Sequence, residues 1–248
     1  MAAGTLRPIV GGLKFFYSVT CPREWKSIHS VRVPKTHTLP IILSREQVRR
    51  LIDSTYLLHF RAFFQLCYTC GLRLGDAKDL QPGDIDSQRG QIIVRNGKGA
   101  KDRVVPVPWA TIELLRTLWK THRNRRLMFP SRADKRRIAS ATRPMSARSF
   151  QRAFQVVVGK MNLAKSGIRL HTLRHSYATH LLDDGVNLKV LQQYLGHTSL
   201  QTTSIYLHLT RQGDEQARSI IERLWDEGPP KDDRLDDRPD ADGQRTSR

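Results

Sequence analysis

The sequence predicts a mainly α-helical fold with one small antiparallel β-sheet, of the α+β class. Three observations predict it. Apolar residues recur at helical spacing through most of the chain. The period changes only once, between about residues 85 and 107, where "GQIIVRNGKGAKDRVVPVP" sets two β-branched runs around "NGKGAKD". The chain has 248 residues and 39% hydrophobic content, enough for one large domain or for one domain with a small appendage.

Taken in order, "IVGGLKFFYSV" (Ile9 to Val19) is expected to form a short apolar helix. "CPREWKSIHSVRVPKTHTLP" then reads as a basic, proline-punctuated linker. Order resumes at Ser44, an N-cap with Gln47 three residues on, which is a capping box. The helix "REQVRRLID" follows, then "YLLHFRAFFQLCYTCG", where Gly71 is a natural terminator. After the hairpin, helices are predicted over 108–121, 147–163, 172–184, 188–195, 200–208 and 214–225. The arginine-rich segment from Arg123 to Arg143 is expected to be a surface loop that either tracks a DNA backbone or is merely solvated. Beyond Trp225 the composition collapses to Asp, Pro, Gly and Arg, the signature of a disordered acidic tail over 226–248.

Charge narrows the partner. From Met1 to Trp225 the chain holds 37 basic residues against 15 acidic ones, an excess of 22. So basic a region implies a polyanion, with nucleic acid first, because releasing counterions from phosphates drives binding to any sequence. No apolar run approaches the roughly 18–20 residues needed to span a bilayer, and no signal peptide opens the chain. Three cysteines, Cys21, Cys67 and Cys70, do not suggest an oxidised secreted scaffold. Cytoplasmic residence, at the nucleoid, is the expectation, with no membrane partner. Cys67 and Cys70 fall inside an apolar helix with no βαβ pattern around them, so core packing is expected of them rather than redox chemistry.

The segment "HTLRHSYATHLL" (171–182) packs three histidines and an arginine into a dozen positions. A zinc site would want a glutamate inside H-E-x-x-H, and position 172 is threonine. Arg174 would also repel a dication, so no metal is expected. An arginine beside a histidine suits an anion: the guanidinium fork matches phosphate oxygens, and an imidazole holds or moves a proton. On a helix His171 and Arg174 share a face, whereas His175 and His180 suit ordinary helix positions better. Other polar residues recur with the same logic. Arg73 lies in "CGLRLGDA" with Asp76 one turn on to orient it, and Lys98 at the hairpin tip in "NGKGAKDR". His197 follows Gly196 in "YLGHTSL", and Tyr206 closes "LQTTSIYLH".

These residues, in this order, carry a resemblance. "GLRLGDA", "GKGAKDRVVPV", "HTLRHSYATHLL" and "LQQYLGHTSLQTTSIYLHL" resemble the motif boxes of the catalytic domain of the tyrosine recombinases, the phage integrase family, from about Leu39 to Thr210. The resemblance implies that Tyr206 attacks a DNA phosphodiester, leaving a 3′-phosphotyrosyl link and a free 5′-hydroxyl without metal, ATP or any other cofactor. Arg73 and Arg174 would bind the non-bridging oxygens and His197 would add a hydrogen bond. His171 would accept or position the phenol's proton, and Lys98 would protonate the leaving 5′-oxygen. A pocket of fixed positive charge is expected to favour the phenolate of Tyr206. Lys101 and Arg103 are expected to contact DNA phosphates rather than to catalyse.

The same resemblance sets the organisation. Residues 1–36 are expected to be the remnant of an N-terminal helical core-binding domain plus a linker, and 37–225 the catalytic domain. Double-stranded DNA is the expected partner, with a homo-tetramer forming on paired sites through the apolar face of "SIIERLW" (219–225). Two other readings compete: a recombination-deficient DNA-binding remnant, and a type IB topoisomerase, which shares the chemistry but which the integrase-style boxes disfavour.

Overall fold

The structure, a computed structural model, describes residues 3–22, 27, 30–31, 39–95, 102–163 and 167–207. The chain divides into two compact units at Pro40. In the first, helix α1 (Ala3–Phe15) passes into one wider π-type turn, Phe16–Thr20. The expected helix over Ile9–Val19 is thus present but starts earlier. Ile9, Leu13, Phe15, Phe16 and Val19 are all exposed.

The second unit is built from helices α2 (Arg45–Asp53), α3 (Leu58–Thr69), α4 (Leu74–Lys78), α5 (Trp109–Lys120), α6 (Ala147–Lys160), α7 (Leu170–Asp183), α8 (Leu188–Leu195) and α9 (Leu200–Ser204). Strands β1 (Ile85–Asp86), β2 (Gln91–Val94) and β3 (Arg103–Pro106) form one antiparallel sheet in the order β1-β2-β3. The register pairs Ile92 with Val105 and Val94 with Arg103. Alternation turns Ile92, Val94 and Val105 into the core, while Val104 faces solvent. The hairpin tip, with Lys98 and Lys101, lies outside the described residues, as do the predicted helix at 214–225 and the tail at 226–248.

Local chemistry sets the helix ends. The Ser44 hydroxyl accepts from the Gln47 amide (3.2 Å) while the Gln47 side chain accepts from the Ser44 amide (2.9 Å), closing the expected capping box. Asn162 takes a positive φ of 56° just after α6, which ends the helix short of the predicted residue 163. α7 starts two residues earlier than predicted because the Thr172 hydroxyl accepts from the Arg169 amide (3.1 Å), capping its first turn. The helix predicted over 200–208 is shorter: α9 ends at Ser204.

α3 is the central post, packed against α5, α6 and α7. Its apolar face carries Phe63 and Phe64 into a core completed by Phe129, Phe150 and Phe154. The Phe63 and Phe150 rings stack at 3.6 Å between centroids, and Phe129 meets Phe63 edge-on at 5.2 Å. Cys67 and Cys70 are both buried free thiols in this helix and its cap, and burial pushes both thiols far up, so packing is their role. A second apolar cluster joins Tyr177 and Ala178 of α7, Leu191 and Leu195 of α8, and Tyr206. Among the described residues no helix is long and apolar enough to cross a membrane.

Candidate active site

Two glycines bring the polar residues together. Gly71 turns the chain out of α3 with φ +58°, and a Cβ there would lie 2.4 Å from the Tyr177 ring, so only glycine lets α3 and α7 approach this closely. Gly196 ends α8 in the left-handed conformation (φ 60°), and a Cβ there would lie 2.9 Å from the Arg103 side chain. Both glycines present their carbonyls to arginines.

Arg174 of α7 is 3% exposed, and both of its terminal nitrogens are engaged. Its Nη1 donates to the Gly71 carbonyl at 2.5 Å, and its Nη2 donates to the Leu195 carbonyl at 2.7 Å. Nη2 also lies 2.9 Å from Nε2 of His197. A guanidinium only donates, so Nε2 of His197 accepts and the imidazole proton sits on Nδ1, which donates to the buried Thr203 hydroxyl at 2.9 Å. Burial beside Arg73 pushes the Arg174 pKa down to about 10, still well above neutrality. Arg73 is the N-cap of α4 and donates from Nη2 to the Gly196 carbonyl at 3.1 Å. Its Nη1 is buried with no hydrogen-bond partner among the described residues, 3.9 Å from Asp76.

Tyr206 follows α9, with 2% of its surface exposed. Its hydroxyl lies 2.8 Å from Nδ1 of His175. Burial raises the Tyr206 pKa despite the opposing charges of Arg174 and Arg73. The expected lowering of this pKa is therefore corrected: with the ring packed in the second cluster, loss of solvent outweighs the nearby cations. Burial, together with the surrounding cations, holds His175 and His197 down to about 4, and His171 is lowered for the same reasons. All three imidazoles are thus neutral at pH 7.

Arg73, His171, Arg174, His175, His197 and Tyr206 line one cleft of about 270 Å³, closed by Thr198, Thr202 and Ile205. Five of the six residues singled out from the sequence therefore converge, and the sixth, Lys98, lies outside the described residues. His175 was assigned to ordinary helix structure; it, and not His171, holds the phenol. Its position four residues after His171 was the available signal, since that spacing puts both on one helix face, and their rings lie 5.9 Å apart. His180 does serve structure, with Nδ1 3.0 Å from the Tyr68 hydroxyl.

Two further expectations change. Arg103 does not reach out toward solvent: its side chain is 9% exposed, its Nη2 donates to Asp76 at 2.6 Å, and its Nε donates to the Tyr194 carbonyl at 3.0 Å. Asp76 accordingly serves Arg103 first and lies more loosely against Arg73. Both carbonyl and carboxylate are out of reach in sequence but adjacent in the fold. Among the described residues, no group of three or more His, Cys, Asp or Glu side chains is placed to hold a metal ion.

Comparison with known proteins identifies the family. Residues 42–212 match the model of the phage integrase family. The tyrosine recombinase XerA of Thermococcus onnurineus is 35% identical over 79% of this chain and 69% of its own length. XerD of Halalkalibacterium halodurans is 33% identical over 73% and 62%. The chain thus spans about two thirds of the length of these relatives. Among solved structures, the XerH site-specific recombinase in a post-cleavage complex with a palindromic difH substrate superposes with a TM-score of 0.63 at 25% identity, over 77% of this chain and 56% of that one. The Tn1549 transposon integrase in complex with transposon right end DNA shares the fold, with a TM-score of 0.69 at 20% identity over 91% and 80%. A family match over most of the chain, relatives above 30% identity and a shared fold lead to one conclusion: this chain belongs to the phage integrase family and carries the catalytic domain of a tyrosine-type site-specific recombinase.

Proposed function

We propose that this chain cleaves and rejoins DNA strands through a 3′-phosphotyrosyl intermediate on Tyr206. The observation that carries the reading is the cleft in which a tyrosine hydroxyl, two arginines and three neutral histidines meet. The Tyr206 oxygen attacks phosphorus and forms the P–O(Tyr) bond as the bond to the 5′-oxygen breaks. His175, 2.8 Å away, takes the phenolic proton. Arg73 and Arg174 carry the charge on the non-bridging oxygens, and Nη1 of Arg73, which has no hydrogen-bond partner among the described residues, is available for one of them. Lys98 on the hairpin supplies the proton to the leaving 5′-oxygen. The bond energy is kept in the phosphotyrosine, so rejoining needs no ATP. Assembly as a homo-tetramer on paired sites, and action in the cytoplasm at the nucleoid, complete the proposal.

A pool of nicked duplexes of random sequence tests it, because loss of a short 5′ fragment traps the covalent adduct. The full chain is expected to yield an adduct resistant to denaturation, and Tyr206→Phe none. Binding without an adduct would favour the recombination-deficient DNA-binding reading. An adduct that survives Tyr206→Phe would overturn the assignment of the nucleophile. Relaxation of supercoiled DNA with no recombinant product would point to a topoisomerase.

A further inference from the structure

Between α5 and α6 the chain carries seven arginines (123, 125, 126, 132, 136, 137 and 143) against a single acid, Asp134. All seven are exposed. Among the described residues only Arg137 has an ion-pair partner, Asp134 at 3.8 Å, and the other six have none. Clustered like charges destabilise a fold by mutual repulsion. An unpaired cluster of this density points to an anion outside the chain.

The segment is a built surface rather than a slack loop. Asn124 is 2% exposed and staples its two halves. Its side-chain nitrogen donates to the Ile138 (3.0 Å) and Ala141 (2.9 Å) carbonyls, and its Oδ1 accepts from the Arg126 and Leu127 amides (both 2.9 Å). Trp119 of α5 donates from Nε1 to the Asn124 carbonyl at 2.9 Å. The Ser131 amide donates to the Arg143 carbonyl at 2.9 Å, tying the middle of the segment to its end. Two shallow grooves result, about 330 and 350 Å³, both bordered by Ser140 and Thr142. Hydroxyls and guanidinium forks on a fixed backbone are the donors that phosphate oxygens take.

Position adds to this. Arg132 lies close enough to His59, at the start of α3, to depress its pKa, whereas Gly71 and the cleft lie past the end of α3. Twelve helical residues separate the two by about 18 Å, the length of roughly five base pairs.

We infer that the arginine surface of residues 123–143 is a second docking site for the phosphate backbone of duplex DNA, away from the cleft. It rests on the recombinase reading for its choice of DNA but not for its chemistry. The test is therefore a binding measurement on the Tyr206→Phe chain, whose outcome does not depend on cleavage. Affinity for a 40-base-pair duplex is followed by fluorescence anisotropy across a KCl series, with and without Arg125→Gln, Arg126→Gln, Arg136→Gln and Arg143→Gln together. All four side chains are exposed and have no ion-pair partner among the described residues, so the unfolding temperature should not move. The log–log salt dependence is expected to flatten by about 2 or more, the contribution of at least two phosphates, with affinity at 0.1 M KCl falling at least tenfold. An unchanged salt dependence overturns the proposal. So does an equal fall in a control chain carrying Arg49→Gln and Arg50→Gln on α2, or a loss confined to single-stranded RNA. If the salt dependence flattens while no adduct forms in the cleavage test, the surface stands and the catalytic reading falls.

Discussion

The Tyr206 hydroxyl and Nδ1 of His175 are 2.8 Å apart, although 31 residues separate them in the chain. His175 holds a pKa of about 4, so its imidazole is neutral and able to accept the phenolic proton at pH 7. His175→Gln is expected to slow adduct formation on a nicked duplex on the order of 100-fold, the ordinary contribution of a positioned base. DNA affinity should be unchanged. A variant with wild-type cleavage kinetics would remove His175 from the reaction.

Three histidines, His59, His175 and His197, are held down to about 4 by burial and neighbouring charge. The unfolded chain binds protons at these positions below their usual value of about 6.5, while the folded chain resists until about 4. Their contribution to stability is therefore complete above pH 6.5 and is lost as pH falls toward 4. Urea midpoints at pH 7.5, 5.5 and 4.5 should decline in that order. His175→Gln should shallow the decline.

Thr203 holds the proton pattern of His197. With Arg174 bound to Nε2, Nδ1 donates to the Thr203 hydroxyl. For Nε2 to donate to a phosphate oxygen instead, Nδ1 must accept, and a hydroxyl can reverse roles where a methyl cannot. Thr203→Val is expected to slow cleavage about tenfold and to move its pH profile, consistent with one lost hydrogen bond. Thr203→Ser should restore both. Equal behaviour of the two variants would reduce Thr203 to packing.

Asp76 and Arg103 form a nearly buried pair, 14% and 9% exposed at the side chain. Removing the carboxylate strands the guanidinium among carbonyls, so Asp76→Asn should cost about 3 kcal/mol of stability. It should also weaken DNA binding through the Arg73 and Gly196 turn. The double variant Asp76→Asn, Arg103→Met should regain much of the stability, measurable by thermal unfolding.

These pairings mark what a linear reading can reach. The Ser44 cap, the glycine stops at 71 and 196, and the hairpin at 85–107 are local chemistry, written within a few residues. So was the convergence of Arg73, His171, Arg174, His197 and Tyr206, because their spacing resembles a known set of motif boxes. The direction of the Tyr206 pKa was not legible, since it depends on how closely the second apolar cluster closes over the ring. Arg103 was misjudged for a similar reason. Its neighbours in sequence are lysine and aspartate, but its partner Tyr194 lies 91 residues away. Asn124 gave no signal at all, as the carbonyls it ties belong to residues 14 and 17 positions later.

Arg174 lines the cleft and also grips two main-chain carbonyls, those of Gly71 and Leu195. Under the proposed mechanism scaffold and reagent are one side chain, so selection acting on either preserves both. A lysine in its place would keep the charge yet lose the fork that staples two loops, and such a protein would fail by melting before it failed by chemistry. Inactive substitutions here thus report on architecture first, and a calorimeter belongs beside every activity assay of this position.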